Sequence, residues 1–71
     1  QMSKYDTLWR HFRGLDKPTV QLSFEAIQGI LGFPIDHSFL NYKKDLERYG
    51  YRVSKIHLKE RSVLFEKVKR K

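Results

Sequence analysis

Seventy-one residues of 8.6 kDa, carrying a net charge of +7, make one small basic domain at most. The absence of cysteine excludes a disulfide staple, a thiolate nucleophile and Cys-ligated zinc, and no apolar run approaches the roughly 20 residues that cross a bilayer. A composition 39% hydrophobic and 14% aromatic suits a packed core, and because small secreted domains are usually disulfide-dense, a chain without cysteine is expected in the cytoplasm.

In chain order, Ser3 stands where a helix cap belongs, with Asp6 three residues later. Tyr5, Leu8, Trp9 and Phe12 follow at i, i+3, i+4 and i+7, the spacing of one buried helical face. Gly14 is placed to end that helix, and Lys17-Pro18 breaks the chain. Thr19-Val20-Gln21-Leu22 alternates like a short strand. Ser23 caps a second helix whose apolar face is Phe24, Ile27, Ile30 and Leu31, ended by Gly32 and Pro34. Gly29 inside it costs about 1 kcal/mol relative to alanine, so the spacing predicts close backbone packing there.

Asp36 caps a third helix, and Ile35 and Leu40 make a hydrophobic staple. That helix is predicted to run continuously over 36–49, with Phe39, Tyr42, Leu46 and Tyr49 inward and Gly50 at its end. The join between the second and third helices is then only Gly32-Phe33-Pro34-Ile35, as a helix-turn-helix requires. The remainder predicts a β-hairpin in which Leu58 opposes Val63 and Ile56 opposes Phe65. Tyr51 and Val53 have the opposite parity to Ile56 and Leu58, so a bulge is expected near Ser54-Lys55. This order of helix, short strand, helix, turn, helix and hairpin predicts an α+β fold of the winged helix-turn-helix type. One domain over 3–66 precedes a basic tail over 67–71, and the short strand joins the hairpin. The aromatics Tyr5, Trp9, Phe12, Phe24 and Phe65 are assigned to the core.

Charge is one-sided. Residues 1–36 hold four Lys/Arg and four Asp/Glu, whereas residues 37–71 hold eleven and four. On a helix turning about 100° per residue, His37, Asn41, Lys44 and Arg48 form a polar stripe opposite the core. These side-chain types contact base edges and phosphates from the second helix of a helix-turn-helix. Lys59 and Arg61 at the hairpin tip, and Lys69 and Arg70 in the tail, are placed to hold phosphates. Asp45 and Glu47 flank the stripe and oppose that role, Glu47 pairs naturally with Lys43, and Lys55 is expected opposite Glu66. His57 is expected to face solvent.

Catalytic patterns are lacking. His11, His37 and His57 lie on different elements without metal-ligand spacing, and Asp36-His37-Ser38 is too local to form a triad. Gly29-Ile30-Leu31-Gly32 has the glycine spacing of an RNA-clamping loop, but its apolar middle belongs to a helix core. The sequence therefore predicts a non-enzymatic domain with no catalytic residue, metal or cofactor. Duplex DNA is the expected partner through the third helix and the hairpin. The alternative is a protein-interaction module, an adaptor or a phage- or defence-related factor. A membrane partner is not expected, and a homodimer is compatible with either reading.

Ser3-Lys4-Tyr5-Asp6-x-Leu8-Trp9, Leu22-Ser23-Phe24-Glu25-x-Ile27-x-x-Ile30-Leu31-Gly32 and Ile35-Asp36-His37-Ser38-Phe39-Leu40-x-Tyr42-Lys43-Lys44 together resemble a family of small Firmicutes-type bacterial proteins of unknown function. Tyr49-Gly50-Tyr51-x-Val53 and Ser62-Val63-Leu64-Phe65 extend the likeness over nearly the whole chain. It implies a free-standing bacterial domain in the cytoplasm and assigns no activity. Longer members carry a tryptophan-rich insertion after the position matching Tyr42. This chain lacks the insertion, so no role of it carries over.

Overall fold

Val20 and Leu22 find their partners in Phe65 and Val63, which sets β1 (Thr19–Ser23) antiparallel to β3 (Ser62–Lys67). The computed structural model describes residues 4–68. Within them the chain runs α1 (Asp6–His11), β1, α2 (Phe24–Leu31), α3 (Ser38–Tyr42), a 3-10 segment (Lys43–Tyr49), β2 (Tyr51–His57) and β3. The three strands form one antiparallel sheet in the order β1-β3-β2, so the fold is α+β. No described helix is long and apolar enough to cross a membrane.

The predicted face of α1 is the heart of the core. Tyr5, Leu8, Trp9 and Phe12 are fully buried, joined by Ile27, Phe39, Leu46, Tyr51, Val63 and Phe65. Phe12 stacks against Phe65 with ring centroids 4.6 Å apart, and Trp9 against Phe39 at 5.6 Å. Pairs at these separations add stabilisation beyond their buried area. Phe24 is only half-buried, at the rim rather than in the centre. Ser23 caps α2, its hydroxyl accepting from the Ala26 amide at 3.0 Å. Gly32 ends that helix at φ +87°, where a side chain is strained. Close packing at Gly29 is not found. A Cβ there meets nothing within 4 Å, so the position is open rather than crowded.

The hairpin differs from its predicted register. Ile56 rather than Leu58 opposes Val63, and Val53 rather than Ile56 opposes Phe65. The bulge does fall between Val53 and Lys55, and it reconciles the two parities by turning both Val53 and Ile56 toward the core. Leu58 is thereby released into the turn. Arg61 closes that turn at φ 54°, held there because its carbonyl accepts from the Phe24 amide at 2.8 Å. Arg52 instead of Lys55 opposes Glu66 and pairs with it at 2.6 Å, while Lys55 opposes Leu64. His57 opposes Ser62 and is half-buried. Lys67 lies within β3 and pairs with Asp16 at 2.6 Å, so the ordered strand runs one residue past the expected boundary. Ser3, Lys69 and Arg70 lie outside the described residues.

Candidate functional site

The predicted 36–49 helix is not one rod. It is α-helical only over Ser38–Tyr42, and six residues, 32–37, separate it from α2 instead of four. At Tyr42 the backbone (φ −105°, ψ 0°) leaves α geometry, and the chain tightens into the 3-10 segment. In a 3-10 helix, residues i and i+3 eclipse. Lys43, Leu46 and Tyr49 therefore make the inward row, half-buried, buried and half-buried respectively. Tertiary anchors favour this winding. The Tyr49 hydroxyl donates to Asp6 Oδ1 at 3.3 Å, and the Arg13 guanidinium lies 5.2 Å from the Tyr49 ring. Tyr42, expected inside, is 41% exposed.

The polar stripe is dismantled by the same change. Eclipsing places Glu47 in line with Lys44, and Asp45 in line with Arg48, so each cation shares its row with a carboxylate. Arg48 no longer continues the line of His37, Asn41 and Lys44. His37, Asn41, Lys44 and Arg48 are all exposed, but they are not gathered into one cationic ridge. The expected Lys43–Glu47 pair is not among the ion pairs of the described residues.

At the hairpin tip the two basic residues part company. Lys59 is exposed. Arg61 turns back onto α2, bonding Glu25 at 3.2 Å with its guanidinium 5.4 Å from the Phe24 ring. Glu25 is lowered from its ordinary pKa by a backbone hydrogen bond and then by Arg61.

Asp36 organises the entrance to α3. Its Oδ1 accepts from the Ser38 amide at 2.9 Å, the Ser38 hydroxyl at 2.6 Å and the Tyr5 hydroxyl at 3.0 Å. Its Oδ2 accepts from Lys4 Nζ at 3.1 Å. His37 rather than the expected Asp36 stands at the N-cap of α3, and Asp36, one residue earlier, holds the turn through Ser38, with Tyr5 and Lys4 tying it to α1. The Ser38 hydroxyl, then Lys4, holds the Asp36 carboxyl well below the usual carboxylate range. Lys4 is raised in return, chiefly by its bond to Asp36.

Beside this turn lies the feature that the residue patterns did not show. A groove of about 380 Å³ opens between α3 and the hairpin, walled by Phe24, Ile35, Phe39, Leu40, Ile56 and Leu58, with Asp36 and His37 at its edge. Leu40 is 51% exposed and Leu58 76% exposed, and they are two of the three large apolar side chains left in solvent among the described residues. Neither side chain is in its expected place, which is a staple with Ile35 for Leu40 and a position opposite Val63 for Leu58. The bulge that turns Val53 and Ile56 inward is compatible with either register, so it does not by itself place Leu58. Among the described residues no group of three His, Asp or Glu side chains is arranged to hold a metal ion.

Comparison with protein-family models, curated proteins and solved structures gives no match.

Proposed function

We propose that this chain is a non-catalytic protein-interaction module on a winged-helix plan, working in the cytoplasm, with the groove between α3 and the hairpin as its binding face. The plan is supported by the element order and by β1 joining the hairpin through β3. One observation carries the functional reading. Leu40 and Leu58 stand exposed around an apolar groove, in the place where a winged helix on DNA presents polar side chains to bases and phosphates. A protein partner gains from covering such a surface, whereas a phosphate backbone does not. Peptide display against the wild-type chain and against a Leu40→Ser/Leu58→Ser variant tests this. The reading expects sequences that bind the first and not the second, and it fails if binders are indifferent to the two leucines.

Duplex DNA is the second reading, favoured by the one-sided charge, eleven Lys/Arg against four Asp/Glu in residues 37–71. Lys44, Arg48 and Lys59 would then meet phosphates, with His37 and Asn41 at base edges. Four to six phosphate contacts give a log–log salt slope of roughly −4 to −5. Absence of duplex binding at about 50 mM salt removes this reading.

A further inference from the structure

We infer that the chain associates with a second copy of itself through the free edge of β1, the two strands pairing antiparallel about a two-fold axis at Gln21 and joining the two sheets into one. This goes beyond the groove reading and does not depend on what the groove binds.

β1 lies at one edge of the sheet. The Lys67 amide donates to the Pro18 carbonyl at 2.9 Å, and the Phe24 amide donates to the Arg61 carbonyl at 2.8 Å. The register between these two bonds is unbroken, so the ladder from β1 to β3 falls on residues 18, 20, 22 and 24. Thr19 and Gln21 therefore aim their N–H and C=O groups away from β3, as Ser23 aims its N–H. None of these backbone groups has a hydrogen-bond partner among the described residues, and all three side chains are exposed. The opposite edge is defended, since β2 carries Arg52 and Lys55 and is interrupted by the bulge after Val53. β1 has no charge, no bulge and no internal proline. An edge in that state is a template for another strand.

The residues of β1 select its own copy as that strand. Pairing about Gln21 sets Val20 beside Leu22 of the second copy and Thr19 beside its Ser23, so apolar meets apolar and hydroxyl meets hydroxyl. The two Gln21 residues then exchange backbone N–H···O=C bonds, and each Ser23 amide donates to the opposite Thr19 carbonyl. The three residues with outward groups are symmetric about Gln21, so this register uses all of them. β1 brings no charge to the contact, while the +7 on each copy opposes approach only at long range and is screened by salt.

Sedimentation equilibrium of the full chain at about 300 mM salt provides the test. Between about 10 μM and about 1 mM the mean mass of the wild type is expected to rise from 8.6 kDa toward twice that value. Gln21→Lys and Gln21→Glu each weaken the association about tenfold, because like charges then face each other across the axis, and an equimolar mixture of the two restores it. Gln21→Pro removes an outward N–H without touching a bond to β3, and it too lowers the mass to that of one chain. Emission of the buried Trp9 confirms that each variant keeps its fold. A wild type that stays monomeric at about 1 mM overturns pairing through β1. So do variants that associate like the wild type, or a Lys/Glu mixture that associates no better than its components.

Discussion

The Tyr5 hydroxyl donates to Asp36 Oδ1 at 3.0 Å across 31 positions of sequence, and so fixes the mouth of α3 to the start of α1. Tyr5 is itself fully buried against Trp9 and Phe39. The turn that borders the groove is therefore set by the core through one phenol. Replacing Tyr5 by Phe keeps the packing and removes the link. The expected outcome is a lower unfolding midpoint with the fold retained, together with faster amide exchange at Ser38 and Phe39. Unchanged protection at those amides would show that the link does not hold the turn.

Asp36 gives a pH signature. Its folded pKa lies below its unfolded value, so its contribution is fully present above the ordinary carboxylate value of about 3.9 and is lost as pH falls through the depressed folded value. Denaturant midpoints measured at neutral pH and at about pH 3 check this. The wild-type chain loses more stability on acidification than Asp36→Asn, which keeps an acceptor oxygen at the turn but has no proton to take up.

Two glycines of the same helix respond in opposite directions. Gly29→Ala meets open space and removes a flexible residue from α2, so it stabilises by about 0.5–1 kcal/mol. That raises Tm by roughly 4–8 °C per kcal/mol in a domain this small. Gly32→Ala forces a side chain into φ +87° and destabilises by about 1 kcal/mol. The lone tryptophan, Trp9, is fully buried and reports both changes by fluorescence.

Exposure separates the binding leucine from the structural ones. Leu58→Ser, at 76% exposure, changes stability by no more than about 0.5 kcal/mol and removes partner binding. Phe65→Ala empties the place against Phe12 and costs about 3–5 kcal/mol, enough to unfold much of so small a domain. Thermal melts of the two variants distinguish these outcomes.

The helical face of α1, the Ser23 cap, the Asp36 turn and the bulge after Val53 were legible in the residues, because each rests on local periodicity or a single side chain. What failed had tertiary causes. Lys43–Tyr49 reads as α-helix by spacing, yet Leu46 in the core and Tyr49 on Asp6 wind it tighter, which breaks the stripe built on His37, Asn41, Lys44 and Arg48. The hairpin slipped by two residues because such a slip preserves which face each side chain occupies. Alternation cannot distinguish those two registers, whereas the contacts of Arg61 with Phe24 and Glu25 choose one. The groove was hidden for the same reason. Leu58 reads as core in one register and as solvent-exposed in the other.

The account turns on which surface the protein uses, and amide chemical-shift mapping of the labelled chain reads that surface directly. Titration with a peptide selected by display on the wild-type chain is predicted to move Leu40, Ile56 and Leu58 most, with Lys44 and Arg48 moving little. Shifts confined to Lys44, Arg48 and Lys59 on addition of duplex DNA, with the groove residues unmoved by the peptide, would contradict it.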